Sequence, residues 1–214
     1  ILANNFADGQ AMEAIRLVFK YLRVSYSGGK GQILAREKMH YAATIAGMAF
    51  ANAFLGICHS LAHTLGSTFH LSHGLSNALM LSYVIEYNAT DAPTKQGMLP
   101  QYKYPLVKGR YARIADMLHL ADDLEGDDSE IRARKTARLV RAIESLKADT
   151  GIPASLREAG VPEQAFLSRL DDMAEQAFDD QCTVANPRYP LIAELKELYR
   201  KAYYGEPLIS LNGR

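Results

Sequence analysis

Four of the six histidines in the chain lie close together, and this cluster is the feature of the sequence best suited to chemistry. They are His59, His63, His70 and His73. His59 and His63 are four residues apart, so on a helix they share one face, and a pair with this spacing commonly binds a transition metal. The metalloprotease form of the pair needs a glutamate directly after the first histidine, and this chain has Ser60 there.

His59 and His73 form a second candidate pair. On one continuous helix, fourteen residues would separate them by about 21 Å. Two ligands of one ion must lie much closer, since each metal–ligand bond is about 2 Å long. Gly66 supplies a natural helix end and residues 67–72 a turn, so the chain can bring His59 and His73 together with His63 nearby.

Core histidines are the alternative interpretation of the cluster. A single histidine in an apolar stretch is more often a hydrogen-bonded core residue than a ligand. Four in one uncharged stretch favour a metal or catalytic role for at least two of them. His40 and His119 are interpreted as structural, and the role of His70 is left open.

The cluster sits in a run without charged side chains. Residues 39–85 contain no Asp, Glu, Lys or Arg, although the chain has 24 basic and 24 acidic residues. Such a run is typical of a buried segment or a membrane span. Residues 41–58 are nearly long enough to span a bilayer, but they are rich in alanine and glycine and lack flanking belts, which favours a buried core helix. The run also lacks an anionic metal ligand, so a carboxylate must come from elsewhere.

The totals exclude several classes of protein. Net charge is zero and no long run of like charge occurs, which argues against nucleic-acid or anionic-membrane partners. The two cysteines, Cys58 and Cys182, are too few for a disulfide framework and fit a cytoplasmic setting. The chain begins at Ile1 without a signal sequence, which suggests a piece of a longer protein.

The elements that must position the histidines are all predicted to be helices. Apolar residues recur with the helical period, glycine and proline separate the segments, and no stretch alternates like a strand. The first helix is predicted to begin at Asp8 and to end before a loop at 25–31. Further helices are predicted at 33–57, 58–65, 74–87, 110–120, 129–150, 162–178 and 190–204. We therefore expect one all-α domain covering residues 1–214.

One motif resembles a known family. Gly56, His59, His63, Leu65 and Gly66, followed by His73-Gly74, resemble the iron-containing alcohol dehydrogenases. The resemblance extends to further positions: residues 46–52, Ala78, Tyr87-Asn88, 151–153 and 186–188. Residues 88–96 and 178–183 look like the alcohol dehydrogenase half of the bifunctional aldehyde–alcohol dehydrogenases.

The resemblance implies a fold and a ligand set. The chain would be the helical C-terminal domain of the dehydroquinate synthase-like fold, without the N-terminal domain that binds the dinucleotide. His59 and His73 would bind the metal, together with an Asp and a His upstream of Ile1. Spacing alone pairs His59 with His63 as metal ligands, whereas the resemblance pairs His59 with His73. His63 would be a catalytic residue that does not bind the metal.

The implied activity is an iron-dependent, NAD-linked alcohol dehydrogenase step of fermentation that interconverts acetaldehyde and ethanol. The ion would be Fe²⁺, with Zn²⁺ as the alternative. Phe50 and Cys182 would line the substrate and nicotinamide pocket, with ordinary core packing as their alternative. The partners would be a small alcohol or aldehyde and, in the full-length protein, further copies in a homo-oligomer or filament.

Two other functions are kept open. The helical domain could be an inactive fragment that serves folding or oligomerisation. A metal hydrolase that uses His59, His63 and His73 is the third candidate.

Overall fold

The computed structural model describes residues 2–91 and 106–208, and the regular secondary structure of this part of the chain is entirely helical, with no strand. Eight α-helices are described within it. They are α1 (Asn5–Gly28), α2 (Ile33–Ala53), α3 (Ile57–Phe69), α4 (His73–Asn88), α5 (Val107–Met117), α6 (Ser129–Asp149), α7 (Glu163–Asp179) and α8 (Ile192–Tyr204). Short 3-10 turns follow α1 and α7, at Gly29–Gly31 and Thr183–Ala185.

Polar side chains fix where several helices begin. Asn4 accepts a hydrogen bond from the Ala7 N–H at 3.0 Å and caps α1, so this helix begins earlier than the predicted Asp8. α1 also continues to Gly28, through most of the predicted 25–31 loop. Asp128 caps α6 in the same way, by accepting from Ile131.

The core lies between α3, α4, α7 and α8, where α3 packs against α4 and α7. The two tyrosines of α8 that point inward are almost completely buried and keep hydrogen-bond partners. Tyr199 bonds with Thr64 and donates to the Leu61 carbonyl, and Tyr203 donates to the Val161 carbonyl. The largest fully buried side chains are Tyr199, Tyr203, Phe166, Ile57, Leu61, Leu65, Leu79 and Met80.

The uncharged run divides into a buried part and an exposed part. Six of the 13 residues of α3 and eight of the 16 residues of α4 are buried, which agrees with the predicted burial of this part. The prediction of a buried core helix over residues 41–58 is wrong for α2, which buries only Ala35, Ala42 and Ala49 and packs almost entirely against α1. Large apolar side chains on the rest of α2 are exposed: Ile33, Leu34, Tyr41, Met48 and Phe50.

The predicted helix over 33–57 is broken in the structure. α2 ends at Ala53, and Phe54 adopts a left-handed φ of 62°. Asn186 occupies the space beside the break, because a Cβ added to Gly56 would come within 2.8 Å of its Oδ1 atom. Glycine at position 56 therefore lets the start of α3 approach Asn186.

The break also bears on the membrane question. No single helix within the described residues is long and apolar enough to cross a bilayer. α2 and α3 have the length and apolar composition of a membrane span only when they are taken together, and the chain bends by 112° at their junction.

The chain reversal after α3 occurs later than predicted. Gly66 was expected to end the helix, but α3 continues to Phe69, and His70 is the C-cap in the left-handed region with φ of 55°. Gly66 lies inside the helix, where an added Cβ would be 3.4 Å from the Leu71 carbonyl oxygen. The missing side chain leaves room for the backbone of Leu71, where the chain returns past α3, and it does not end the helix.

Most of the loop predicted between α4 and α5 lies outside the described residues, as does the greater part of the family-like string 88–96.

A buried amide pair holds the start of α3. Asn186 Oδ1 accepts from the Ile57 N–H and from Asn88 Nδ2, each at 3.3 Å, and Asn186 Nδ2 donates to Asn88 Oδ1 at 2.8 Å. Asn186 and Asn88 are only 1% and 4% exposed. The pair thus ties α3 and α4 to the segment that follows α7.

Replacing Asn186 with alanine should lower the free energy of unfolding by about 2–3 kcal/mol, because buried polar groups of Asn88 and Ile57 lose their partner. Asn52→Ala is the matched control, since its exposed amide donates only to the Met48 carbonyl one turn earlier. We expect the control to stay within about 0.5 kcal/mol of the parent in chemical denaturation. Equal losses in both variants would contradict the role assigned to the pair.

Candidate metal centre

Three of the predicted site histidines come together where α3 and α4 meet. His59 and His63 lie on α3, and His73 is the first residue of α4. The ring centroids of His59 and His73 are 5.3 Å apart, those of His63 and His73 5.4 Å, and those of His59 and His63 6.3 Å. The structure therefore brings together the histidines that the sequence analysis singled out, while metal binding by them stays a prediction.

His70 lies outside this group. It is exposed and forms the left-handed C-cap of α3. Its backbone reverses the chain, which is a structural role. His119 is likewise exposed, with a left-handed φ of 55°, and its Nδ1 lies 3.2 Å from Asp122.

The surroundings of His59 keep its ring neutral. Burial, followed by the nearby His73 and His63 rings, lowers the pKa of His59 to about 4. Its imidazole therefore keeps a free lone pair at neutral pH, as a metal ligand must.

His73 is more exposed, and one of its ring nitrogens is already in contact with a neighbour. Nδ2 of Asn77, one turn further along α4, lies 3.1 Å from Nε2 of His73 and 3.0 Å from its carbonyl oxygen. A metal ion that binds Nε2 of His73 has to displace the amide of Asn77.

His63 has a different partner, a carboxylate from the end of α7. Its Nδ1 lies 2.8 Å from Oδ2 of Asp180. The other oxygen of Asp180 accepts from the Ser60 hydroxyl at 3.2 Å and from the Cys182 N–H at 2.8 Å. Burial opposes ionisation of Asp180, but the hydrogen bonds from Cys182 and His63 hold its pKa below the ordinary value. An ionised Asp180 places the proton of His63 on Nδ1 and leaves the lone pair on Nε2.

Asp180 is the functional candidate that the sequence analysis did not single out. It lies 117 residues from His63, so no local spacing connects the two. The signal available was the uncharged run itself, which required a carboxylate from elsewhere in the chain. Asp180 was noted only within the family-like string 178–183.

The hydroxyl groups of Ser60 and Thr183 lie next to each other, and the Ser60 hydroxyl donates to Asp180. The Thr183 hydroxyl donates to the Ala177 carbonyl at 2.6 Å and lies 2.8 Å from Ser60 Oγ. Both side chains are buried. The end of α7 is thereby fixed to α3 one turn before His63.

The two predicted pocket residues differ in position. Cys182 is 2% exposed and lies beside His63 and Asp180. Burial and, secondly, a hydrogen bond with Asp180 raise the pKa of its thiol to about 11. Phe50 is 48% exposed near the end of α2. The pocket role of both residues stays a prediction.

A cavity of about 380 Å³ lies elsewhere, between α1, α4 and α5. Cys58 lines it, whereas His59, His63 and His73 do not. Its walls are mainly apolar, with the ion pair of Asp8 and Arg110 (2.7 Å) among the polar groups. The histidine chemistry is therefore outside this cavity.

Known proteins resemble this chain over almost its whole length. Residues 1–203 match the family model described as Fe-containing alcohol dehydrogenase family, C-terminal. The bifunctional aldehyde-alcohol dehydrogenase of Escherichia coli K12 is 54% identical over 209 residues, covering 98% of this chain and 23% of that protein. The aldehyde-alcohol dehydrogenase of Clostridium acetobutylicum is 46% identical over 97% of this chain and 23% of its own length.

A solved structure shows the same fold. The iron-containing alcohol dehydrogenase of Thermococcus thioreducens superposes with a TM-score of 0.74 and 35% identity, over 96% of this chain and 46% of its own. These matches confirm the predicted family resemblance and the all-helical C-terminal fold. The chain spans about a quarter of the bifunctional relatives and about half of the solved structure.

The hydrogen bond to Asp180 predicts the tautomer of His63. In the parent protein nitrogen NMR of the imidazole should show the proton on Nδ1. Asp180→Ala should move the population toward the Nε2–H form, because the acceptor that fixes Nδ1–H is removed. Asp179→Ala removes a neighbouring carboxylate and should leave the spectrum unchanged. An unchanged tautomer in Asp180→Ala would contradict the assignment.

Proposed function

Because the chain belongs to the iron-containing alcohol dehydrogenase family, we propose that it is the metal-binding part of an enzyme that interconverts acetaldehyde and ethanol with NAD(H). The observation that carries the proposal is the convergence of His59, His63 and His73 at the α3–α4 reversal. The similarity to bifunctional aldehyde-alcohol dehydrogenases supports the choice of small aldehyde and alcohol.

The donor set fits a divalent ion in part. His59 and His73 offer imidazole nitrogens, with ring centroids 5.3 Å apart, and imidazole suits both iron and zinc. Neither histidine brings negative charge to the ion. We therefore propose that the remaining ligands, an Asp and a His, lie on a helix just upstream of Ile1, and that a separate N-terminal domain binds the dinucleotide.

When bound, the ion supplies Lewis-acid polarisation of the substrate oxygen, and the nicotinamide supplies or accepts the hydride. The residues of this chain then have separate tasks. His59 and His73 hold the ion. His63 accepts the proton of the alcohol at Nε2 and returns it in the reverse direction.

Asp180 is a positioning residue for that proton transfer. It accepts from Nδ1 of His63 at 2.8 Å and so presents the Nε2 lone pair to the substrate. Its negative charge also stabilises the imidazolium that forms when Nε2 takes up the proton. Cys182 and Phe50 are the proposed walls of the substrate and nicotinamide pocket.

Alanine variants separate the metal ligands from the proton carrier. In a protein that extends upstream of Ile1, His59→Ala and His73→Ala should each lose the bound iron and, with it, activity. His63→Ala should keep the iron and lower kcat by about 10²–10⁴-fold, the usual contribution of a general acid–base group. Metal analysis and steady-state kinetics on the same preparations test this pattern. Loss of iron in His63→Ala with iron retained in His73→Ala would favour the spacing-based pair of His59 and His63.

Activity should depend on the upstream segment. The 214 residues joined to the preceding half of the alcohol dehydrogenase region of the Escherichia coli relative should reduce NAD with ethanol when iron is supplied. The 214-residue chain by itself should not, since two neutral imidazoles leave the charge of the ion unbalanced. The joined protein with His59→Ala is the inactive control. Ethanol oxidation by the chain alone would overturn the proposed division of ligands.

A further inference from the structure

A second group of metal-binding side chains lies next to the proposed centre. His63, Asp180 and Cys182 each offer one ligand atom, and these atoms all lie within 4.8 Å of one another. Cys182 is buried, and the side chains of Asp180 and His63 are 18% and 38% exposed.

The chemistry of the three donors is that of a zinc site. Imidazole nitrogen, carboxylate oxygen and thiolate sulfur are the ligand types that Zn²⁺ takes, and three protein ligands with one open position are common. We propose that His63, Asp180 and Cys182 form a second divalent-metal site, selective for zinc-like ions and separate from the pair His59 and His73.

Charge balance favours this group. Asp180 and a deprotonated Cys182 supply two negative charges, so a divalent ion makes the site formally neutral. His59 and His73 supply none. In the 214-residue chain, an ion therefore has a better-compensated position at His63, Asp180 and Cys182 than at the histidine pair.

The three donors already lie close to one place. Nδ1 of His63 lies 2.8 Å from Oδ2 of Asp180, and one ligand atom from each of the three residues lies within 4.8 Å of the others. Binding replaces the His63–Asp180 hydrogen bond with metal–ligand bonds. The thiol proton goes to solvent, the His63 proton moves from Nδ1 to Nε2, and no electron is transferred.

The required movement is small. Ligand atoms around a tetrahedral zinc lie about 3.3–3.5 Å apart, given bonds of about 2.0–2.3 Å. The His63–Asp180 pair has to open by roughly 0.5 Å, and a separation of up to 4.8 Å has to close by roughly 1.3 Å. Side-chain rotation of Asp180 and His63, which are only partly buried, can provide this.

An acidic pocket of about 370 Å³ adjoins the proposed site at Asp180. Asp180 forms part of its wall together with Asp172, Glu175, Gln176 and Asp179. Its four carboxylates raise the local concentration of cations beside Asp180. An ion bound to His63, Asp180 and Cys182 would keep the His63 ring from carrying a proton. Excess zinc should therefore inhibit the proposed proton transfer.

Cobalt titration of the 214-residue chain tests the site, because thiolate-bound Co²⁺ gives a near-ultraviolet charge-transfer band. The band should saturate at one ion per chain and should disappear when Zn²⁺ is added. Binding of each ion should release one proton. Cys182→Ser should lose the band. Cys58→Ser, the control for the other thiol, and His59→Ala, the control for the proposed catalytic centre, should keep it.

Asp180→Asn gives a second and independent measurement. Even residues that only support a metal ligand contribute about 10–100-fold in affinity, so loss of the carboxylate should weaken cobalt binding by at least about 100-fold. Circular dichroism confirms that each variant is folded. Absence of the band at saturating cobalt, or its loss in Cys58→Ser or His59→Ala, would overturn the second site. None of these outcomes depends on the proposed dehydrogenase activity.

Discussion

The reversal of the chain between α3 and α4 is the constraint on which the candidate site depends. Fourteen residues separate His59 from His73, yet their ring centroids are 5.3 Å apart because the chain turns back at His70. A left-handed residue other than glycine costs roughly 1–2 kcal/mol. The packing of α3 on α4, with Leu61, Leu65, Leu79 and Met80 almost fully buried, offsets that cost.

The same arrangement decides where negative charge can reach the histidines. The segment that carries them has no carboxylate of its own, and the end of α7 brings Asp180 into direct contact with His63, at 2.8 Å. Asp180 thus contacts the ring proposed to carry protons directly, whereas its charge acts on His59, a proposed metal ligand, only from a distance. The division between His63 and its two neighbours is therefore electrostatic as well as positional.

The sequence predicted the helical class and the histidine cluster, because periodicity, glycine and proline act locally. It misplaced the reversal, since Gly66 is needed where Leu71 returns past α3 and not at the helix end. It could not show that α2 is largely exposed, because an apolar face looks the same whether or not the described chain covers it. Asp180 was beyond local pattern altogether, since its contact with His63 exists only after α7 has packed against α3.

The alanine stripe of α2 has a consequence for how the molecule opens. Ala35, Ala42 and Ala49 bury little apolar area against α1, and the hairpin of α1 and α2 is tied to the rest partly by surface ion pairs such as Arg23 with Asp149. Such a unit can unfold by itself while the remaining core stays closed. Backbone amides of α2 should then exchange with solvent well before those of α3, and the break at Phe54 marks the border between the two cooperative units.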